Sequence, residues 1–307
     1  VERSRGLGDV YKRQLSEDIM SVLKAIILGI VQGVTEFLPV SSSGHLSLFH
    51  YLLGTTSDTS LLFDVMLHLG TLIAVFIVYY KTIWALVIEF FKLIKDIFTG
   101  KFKFKEITGT RKMLIMFVFS CIPLLFLLIP VGGGQKLMDV CGSFAEDDNL
   151  WVEGFSFLLT AVLLLTSTYI SKKKKLVREV NTTDAFAVGV AQAFAAAFPG
   201  LSRSGSTIST GMMCGVNKEY MVQYSFILGI PAIIAANISQ TKDAIEIHQS
   251  IEVLPTVIGI ITAMVVGVLC IKLLQWILKK DMFKYFGYYC IAIGIFTLAC
   301  QIFKIHF

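Results

Sequence analysis

Two polar stretches interrupt a sequence that is otherwise strongly apolar. They are EFLPVSSSGH at residues 36–45, shortly after the apolar run AIILGIVQGV, and PGLSRSGST at residues 199–207. The guanidinium of Arg203 offers a planar fork of donors that matches phosphate oxygens. Glycine–serine turns expose backbone N–H groups, and a helix that starts after such a turn adds the positive end of its dipole. The residue types therefore favour the chemistry of phosphate groups.

The same stretches offer groups for catalysis. Gln32 and Glu36 lie four residues apart, which places them on one face of a helix. Glu36, together with Asp64, can hold a divalent cation, which prefers oxygen ligands and bridges phosphates. A serine or a histidine can act as nucleophile or proton carrier. The candidates are Ser41, Ser42, Ser43 and His45 in the first stretch and Ser202, Arg203, Ser204, Gly205 and Thr207 in the second.

The composition is that of a polytopic integral membrane protein. The chain has 307 residues, of which 55% are hydrophobic and 16% charged, and its mean hydropathy is +0.73. Soluble domains have about 45–50% apolar and about 25% charged residues. The net charge of +5 comes from lysine clusters between apolar segments, which the positive-inside rule explains, so no nucleic-acid binding is predicted. The six cysteines show no CxxC spacing, and neither a disulfide framework nor a zinc site is implied.

Six segments have the roughly 20 mostly apolar residues that a bilayer-crossing helix needs. They are residues 62–80, 113–130, 151–170, 221–239, 253–274 and 285–303. The connections 81–112, 171–179 and 272–284 are rich in lysine and arginine, which predicts that they are cytoplasmic. Both ends of the chain are then predicted to lie outside, in an all-α polytopic membrane protein.

Two further apolar regions, residues 20–55 and 185–216, are each broken by a proline and a serine-rich stretch. Proline breaks a helix, and irregular backbone at membrane depth is tolerated only inside protein or beside a wet cavity. Both regions are therefore predicted to be re-entrant helix-loop-helix hairpins. At an offset of 160 residues they match at four positions: Gly29 with Gly189, Gln32 with Gln192, Pro39 with Pro199 and Ser42 with Ser202.

This match and the three spans that follow each hairpin predict an inverted-topology repeat. Repeat one covers residues 20–130 and repeat two residues 185–303, with a linking helix at 151–170. An acid or arginine at mid-bilayer costs about 2.5–3.5 kcal/mol, so Glu36 and Arg203 indicate a functional cavity. Residues 1–14 are charged and aperiodic, and from Ser4 onward they are similar to a translated sequencing adapter. We expect them to be non-native, and residues 15–307 to form a single integral membrane domain.

QGVTEFLPVSSSGH and PGLSRSGST resemble the two motifs of the undecaprenyl pyrophosphate phosphatase family, the bacitracin-resistance type of bacterial membrane enzyme. The resemblance extends over residues 19–307 and includes FDVMLHLGT. It implies release of phosphate from undecaprenyl diphosphate, which yields the monophosphate carrier for cell-wall glycan synthesis. It further implies a divalent cation, Mg²⁺ or Ca²⁺, and a site that opens outward from the cytoplasmic membrane, among membrane lipids.

By motif position, the resemblance makes Gln32 and Glu36 the paired residues of the first motif, and Ser41, Ser42 and His45 the catalytic stretch. Ser202, Arg203, Ser204 and Thr207 correspond to the phosphate clamp. Many relatives have glutamate where this chain has Gln32, and a neutral amide is a weaker cation ligand. The mechanism that follows has Ser42 attacking the terminal phosphorus and His45 accepting its proton. A phosphohistidine at His45 and direct attack by water stay open.

Several alternatives remain at this point. Glu36 and Arg203 can form a purely structural ion pair, and inverted repeats with broken helices also suit a transporter or flippase for the lipid carrier. The SGH element is also found in acid-phosphatase-like lipid phosphatases, but those need a histidine six residues after the SR arginine, where this chain has Ser209. We expect His68, four residues after Asp64, near the site, and His50 in an ordinary interfacial position. The sequence leaves open whether the chain forms a homodimer.

Overall fold

The computed structural model describes residues 21–52, 57–101, 108–132, 135–142, 150–174, 177–246 and 252–305. The architecture is all-α apart from one short hairpin. The helices are α1 (residues 21–37 as described), α2 (Ser42–Leu52), α3 (Ser57–Phe98), α4 (Gly109–Leu125), α5 (Leu137–Gly142), α6 (Trp151–Ser171), α7 (Thr182–Ala197), α8 (Arg203–Cys214), α9 (Lys218–Glu246), α10 (Val253–Lys279) and α11 (Lys284–Phe303). Strands β1 (Pro130–Gly132) and β2 (Gln135–Lys136) pair antiparallel after a 3₁₀ turn at Phe126–Leu128.

Six helices in the described part of the chain are long and apolar enough to cross a membrane: α3, α4, α6, α9, α10 and α11. They match the six predicted spans, and the chain is a multi-pass membrane protein. Two predicted boundaries are wrong, because α3 continues to Phe98 and α10 to Lys279, within the predicted connections 81–112 and 272–284. α3 is kinked at Tyr79, whose φ (−108°) and ψ (20°) are not helical, although no glycine or proline occurs between residues 72 and 98. Residues 1–14, which we expect to be non-native, lie outside the described residues.

The chain is helical on both sides of each predicted break. α1 ends before Pro39 and α7 ends before Pro199. Each break contains one residue in the left-handed region, Ser41 (φ 74°) in the first and Gly200 (φ 77°) in the second. A serine hydroxyl then caps the helix that follows: Ser41 Oγ accepts the backbone N–H of Gly44 (3.3 Å) at α2, and Ser202 Oγ accepts that of Gly205 (3.0 Å) at α8. The N-terminal ends of both short helices, α2 and α8, therefore lie at the two breaks.

Glycines let the helix that precedes each break pack closely on a long neighbour. A Cβ built on Gly29 of α1 would lie 2.8 Å from the carbonyl oxygen of Gly259 in α10. A Cβ on Gly189 of α7 would lie 2.5 Å from the carbonyl oxygen of Ser120 in α4. Small residues permit such approaches between helices in membranes. The main apolar core lies among these helices, where Phe37 packs edge-on against Phe226 with ring centroids 5.2 Å apart. This contact fixes the end of α1, directly beside Glu36.

We expect Gly189→Ala to lower the stability of the protein. Alanine favours an exposed helix by about 1 kcal/mol over glycine, but overpacking against the Ser120 carbonyl costs about 1–3 kcal/mol. The measurement is the thermal midpoint in detergent, with Val190→Ala, on the exposed side of α7, as the matched control that stays within about 0.5 kcal/mol of wild type. A Gly189→Ala protein as stable as this control contradicts the close packing of α7 on α4.

Candidate functional site

The two helix breaks meet at an ion pair. Glu36, in the last turn of α1, accepts a hydrogen bond through Oε1 from Nη2 of Arg203, the first residue of α8. The two residues are 167 positions apart in sequence. Glu36 is buried, with 7% of its surface exposed. The ion pair therefore joins the two polar stretches that the sequence singled out.

Three further groups lie close to Oε2, the second oxygen of the Glu36 carboxylate. Ser42 Oγ donates to Oε2 at 2.6 Å, and Gln32 Nε2 donates to it at 3.3 Å. His68 Nε2 lies 3.9 Å from the same oxygen. His68 Nδ1 is 2.8 Å from the carbonyl oxygen of Asp64, which orients the ring. Glu36 is thus a buried carboxylate surrounded by donors, and His68 lies near the site as predicted.

The guanidinium of Arg203 has room because the residue that faces it on α9 is a glycine. A Cβ built on Gly229 of α9 would lie 1.6 Å from Nη1 of Arg203. Any side chain at position 229 must displace the guanidinium. Sequence reasoning missed Gly229, because it is one glycine between Leu228 and Ile230 in an apolar span.

The other predicted phosphate-binding residues occupy the first turns of α8. Ser204 Oγ donates to the carbonyl oxygen of Glu36 at 3.4 Å. Gly205 lies against the first break, since its Cβ would be 3.2 Å from the carbonyl oxygen of Pro39. Thr207 Oγ1 is 2.6 Å from Ser225 Oγ of α9, a partner that sequence reasoning did not find. The N-terminal end of α8 therefore points at the ion pair, and its positive dipole adds to the charge of Arg203.

The serines of the first stretch have different surroundings. Ser41 is buried at the start of α2, Ser42 is half-buried beside Glu36, and Ser43 is exposed. Ser42 donates to Glu36 and makes no hydrogen bond to His45 among the described contacts. The predicted pairing of Ser42 with His45 is therefore absent from this arrangement. Ser42 has a direct proton acceptor in the Glu36 carboxylate instead.

His45 points to the other side of α2. Its Nδ1 lies 2.6 Å from the carbonyl oxygen of Ser41, and its Nε2 lies 2.7 Å from the hydroxyl of Tyr289 in α11. The ring stands edge-on to Phe157 of α6, with centroids 4.9 Å apart. Sequence reasoning identified His45 but neither of its aromatic neighbours.

The three predicted cation ligands do not form one cluster. The carboxylate of Asp64 faces His50 Nε2 at 3.1 and 3.2 Å, whereas both oxygens of Glu36 are engaged by donors. Gln32 turns its amide nitrogen toward Glu36. The described residues hold no group of three or more His, Cys, Asp or Glu suited to a metal ion. The set Gln32, Glu36 and Asp64 does not fit a cation in this arrangement.

The chain is similar to known proteins over most of its length. The family model described as Bacitracin resistance protein BacA matches residues 25–296. A protein of Alkaliphilus metalliredigens named undecaprenyl-diphosphatase is 38% identical over 276 residues, 90% of this chain and 97% of that protein. Proteins of the same name from Methanosphaera stadtmanae and Parabacteroides distasonis are 39% and 36% identical, over 92% and 93% of this chain and 99% and 100% of theirs. The family model includes both helix breaks, five candidate spans and the first part of α11, and this chain belongs to the bacitracin resistance protein BacA family.

Proposed function

We propose that this protein releases the terminal phosphate of undecaprenyl diphosphate and leaves undecaprenyl phosphate. The observation that carries the proposal is the ion pair between the buried Glu36 and the partly buried Arg203, with the Ser42 hydroxyl bound to the same carboxylate. Relatives named undecaprenyl-diphosphatase, similar over nine tenths of the chain, support the substrate. The test is phosphate release by the detergent-purified protein, because hydrolysis of this lipid, unlike its transport, needs no membrane.

Phosphate binding rests on Arg203 and on the N-terminal end of α8. The guanidinium presents several N–H donors, and only part of the fork is used by Glu36. Ser204 and the first backbone amides of α8 lie beside it. An incoming diphosphate can therefore bind Arg203 in place of, or together with, Glu36, in surroundings where charge is poorly screened.

The transfer step uses the hydrogen bond between Ser42 and Glu36. Ser42 Oγ forms a bond to the terminal phosphorus while the bond from that phosphorus to the bridging oxygen breaks, and undecaprenyl phosphate leaves. The hydroxyl proton passes to Glu36 Oε2, its acceptor at 2.6 Å. Water then hydrolyses the phosphoserine, and Ser42 recovers its proton. This assignment differs from the predicted transfer to His45, because His45 has other partners.

We also propose that the two breaks are re-entrant hairpins of an inverted repeat. α2 and α8 have 11 and 12 residues, about 16–18 Å at 1.5 Å per residue, too short for a hydrocarbon core of about 30 Å. Gly29 and Gly189, which match at the offset of 160, each face a backbone carbonyl of a long helix. Each break also contains a left-handed residue, although Ser41 and Gly200 lie one position apart at this offset.

The proposed orientation has the site open to the outside of the bacterial cytoplasmic membrane. It is supported by lysines and arginines in the connections around residues 81–112, 171–179 and 272–284. A membrane-impermeant maleimide should then label a cysteine placed at Trp151 in intact cells, but not one placed at Lys280.

A lipid flippase is the second candidate, favoured by the two helix breaks that meet inside the fold. A flippase moves its lipid without cleaving it. Detergent-purified protein that binds undecaprenyl diphosphate but releases no phosphate favours this alternative.

We expect Ser42→Ala to abolish both phosphate release and the burst of protein-bound ³²P from terminally labelled undecaprenyl diphosphate, because the attacking oxygen is gone. His45→Ala serves as the comparison, since loss of the histidine leaves the nucleophile in place. A ³²P burst that survives in Ser42→Ala and vanishes in His45→Ala contradicts the phosphoserine and indicates a phosphohistidine.

We expect Gly229→Ala to lower kcat/KM by about 10- to 100-fold, because the new methyl displaces the guanidinium of Arg203 and a misplacement of about 1 Å can cost 100-fold. The matched control is Arg203→Ala alone. In that background Gly229→Ala should cause no further loss, since the clash has been removed. Additive losses contradict the contact as the cause.

We expect Asp64→Asn to leave the Mg²⁺ concentration for half-maximal phosphate release unchanged, because Asp64 faces His50 rather than Glu36. Asp96→Asn is the control, since Asp96 pairs with Arg111 at the far end of α3. A selective rise in the Mg²⁺ requirement of Asp64→Asn restores Asp64 as a cation ligand.

A further inference from the structure

His45 is enclosed and its hydrogen-bonding pattern is determined by its neighbours. Only 3% of the residue is exposed. Nδ1 lies 2.6 Å from the Ser41 carbonyl oxygen, and a carbonyl oxygen only accepts, so Nδ1 carries the hydrogen. In the neutral ring, Nε2 then bears the lone pair and must accept.

The donor to Nε2 is the hydroxyl of Tyr289, 2.7 Å away. The two rings also lie parallel, with an interplanar angle of 3° and centroids 5.7 Å apart. Phe157 covers His45 from α6, edge-on, and the neighbouring Gly44 is pressed against the same phenylalanine, with its Cβ position 2.8 Å from the ring. The ring of His45 is thus held on one side by Phe157 and on the other by Tyr289.

Tyr289 differs from His45 in exposure. Tyr289 is 44% exposed on α11, whereas His45 is almost fully enclosed. Among the described contacts, the tyrosine hydroxyl is the one group bonded to the basic nitrogen of His45. The Ser41 carbonyl fixes the hydrogen on Nδ1, and the Tyr289 hydroxyl is the described partner of Nε2 on the exposed side of the fold.

We propose that Tyr289 is a positioning residue that holds His45 with hydrogen on Nδ1 and the lone pair of Nε2 directed toward α11. This inference rests on the proposed phosphatase function for its effect on rate, but not for the pairing itself. Tyr289 acts through His45, which lies one turn after Ser42 in α2, so a fixed His45 ring helps to hold the helix of the nucleophile in place. Loss of comparable partners of metal-binding histidines costs about 10- to 100-fold.

The test compares Tyr289→Phe with Tyr288→Phe. Both tyrosines belong to α11 and are similarly exposed, at 44% and 53%, but Tyr289 contacts His45 whereas Tyr288 packs against Tyr285. Phenylalanine keeps the ring that stacks on His45 and removes the hydroxyl. We expect Tyr289→Phe to lower kcat by about 10-fold with little change in KM, and Tyr288→Phe to change neither.

A second measurement separates this pairing from the reaction. In ¹⁵N-histidine-labelled protein, with the His45 signal assigned by its loss in His45→Gln, Nε2 should shift toward a free imine nitrogen in Tyr289→Phe and stay unchanged in Tyr288→Phe. An unshifted Nε2, or a kcat of Tyr289→Phe equal to that of Tyr288→Phe, overturns the proposal. If the wild-type protein releases no phosphate while Tyr289→Phe still shows the Nε2 shift, the proposed function is overturned and the pairing stands.

Discussion

The structure depends on the buried negative charge of Glu36, which needs a positively charged partner. Glu36 is a buried carboxylate among apolar helices, and its partner Arg203 comes from a helix 167 residues later. Removing one member of a buried pair typically costs about 3–5 kcal/mol, because the other charge stays desolvated. The ion pair therefore requires the end of α1 and the start of α8 to meet. Ser42, Gln32 and His68 take their positions around the carboxylate that this meeting creates.

The helix that carries Arg203 is secured at both ends. Ser202 caps its N-terminus, and at its C-terminus Lys174 donates to the carbonyl oxygen of Met213 and Arg178 to that of Cys214. Cations at the C-terminal end complement the helix dipole, whose positive end then faces the ion pair. Arg178 is itself bound to Asp184, and this carboxylate raises the pKa of the guanidinium. The N-terminal end of α8, which carries Arg203, is thus supported from the opposite end of the helix.

The sequence predicted those features that are encoded by residues close together in the chain. Apolar runs located six spans, and prolines next to serines located both breaks, because these signals act over one or two helical turns. It did not reveal Gly229, Tyr289 or Ser225, whose roles come from contact with residues far away in the chain. It gave no sign that His50 faces the Asp64 carboxylate, a contact that joins α2 to α3. The end of α3 was misplaced because lysines, which mark a membrane boundary, do not stop a helix.

The length of α3 affects how the protein fits its bilayer. The candidate span Leu62–Phe98 has 37 residues, about 55 Å at 1.5 Å per residue, against a hydrocarbon core of roughly 30 Å. Residues 62–80 contain one Asp, Glu, Lys or Arg, whereas residues 81–98 contain five, so the helix continues beyond the apolar part of the span. The two parts meet near Tyr79, where the helical geometry is broken and Gln275 of α10 donates to the tyrosine hydroxyl at 3.0 Å. The charged part of α3 can therefore change direction, for example in a bilayer of different thickness, on the far side of this kink from Asp64 and His68.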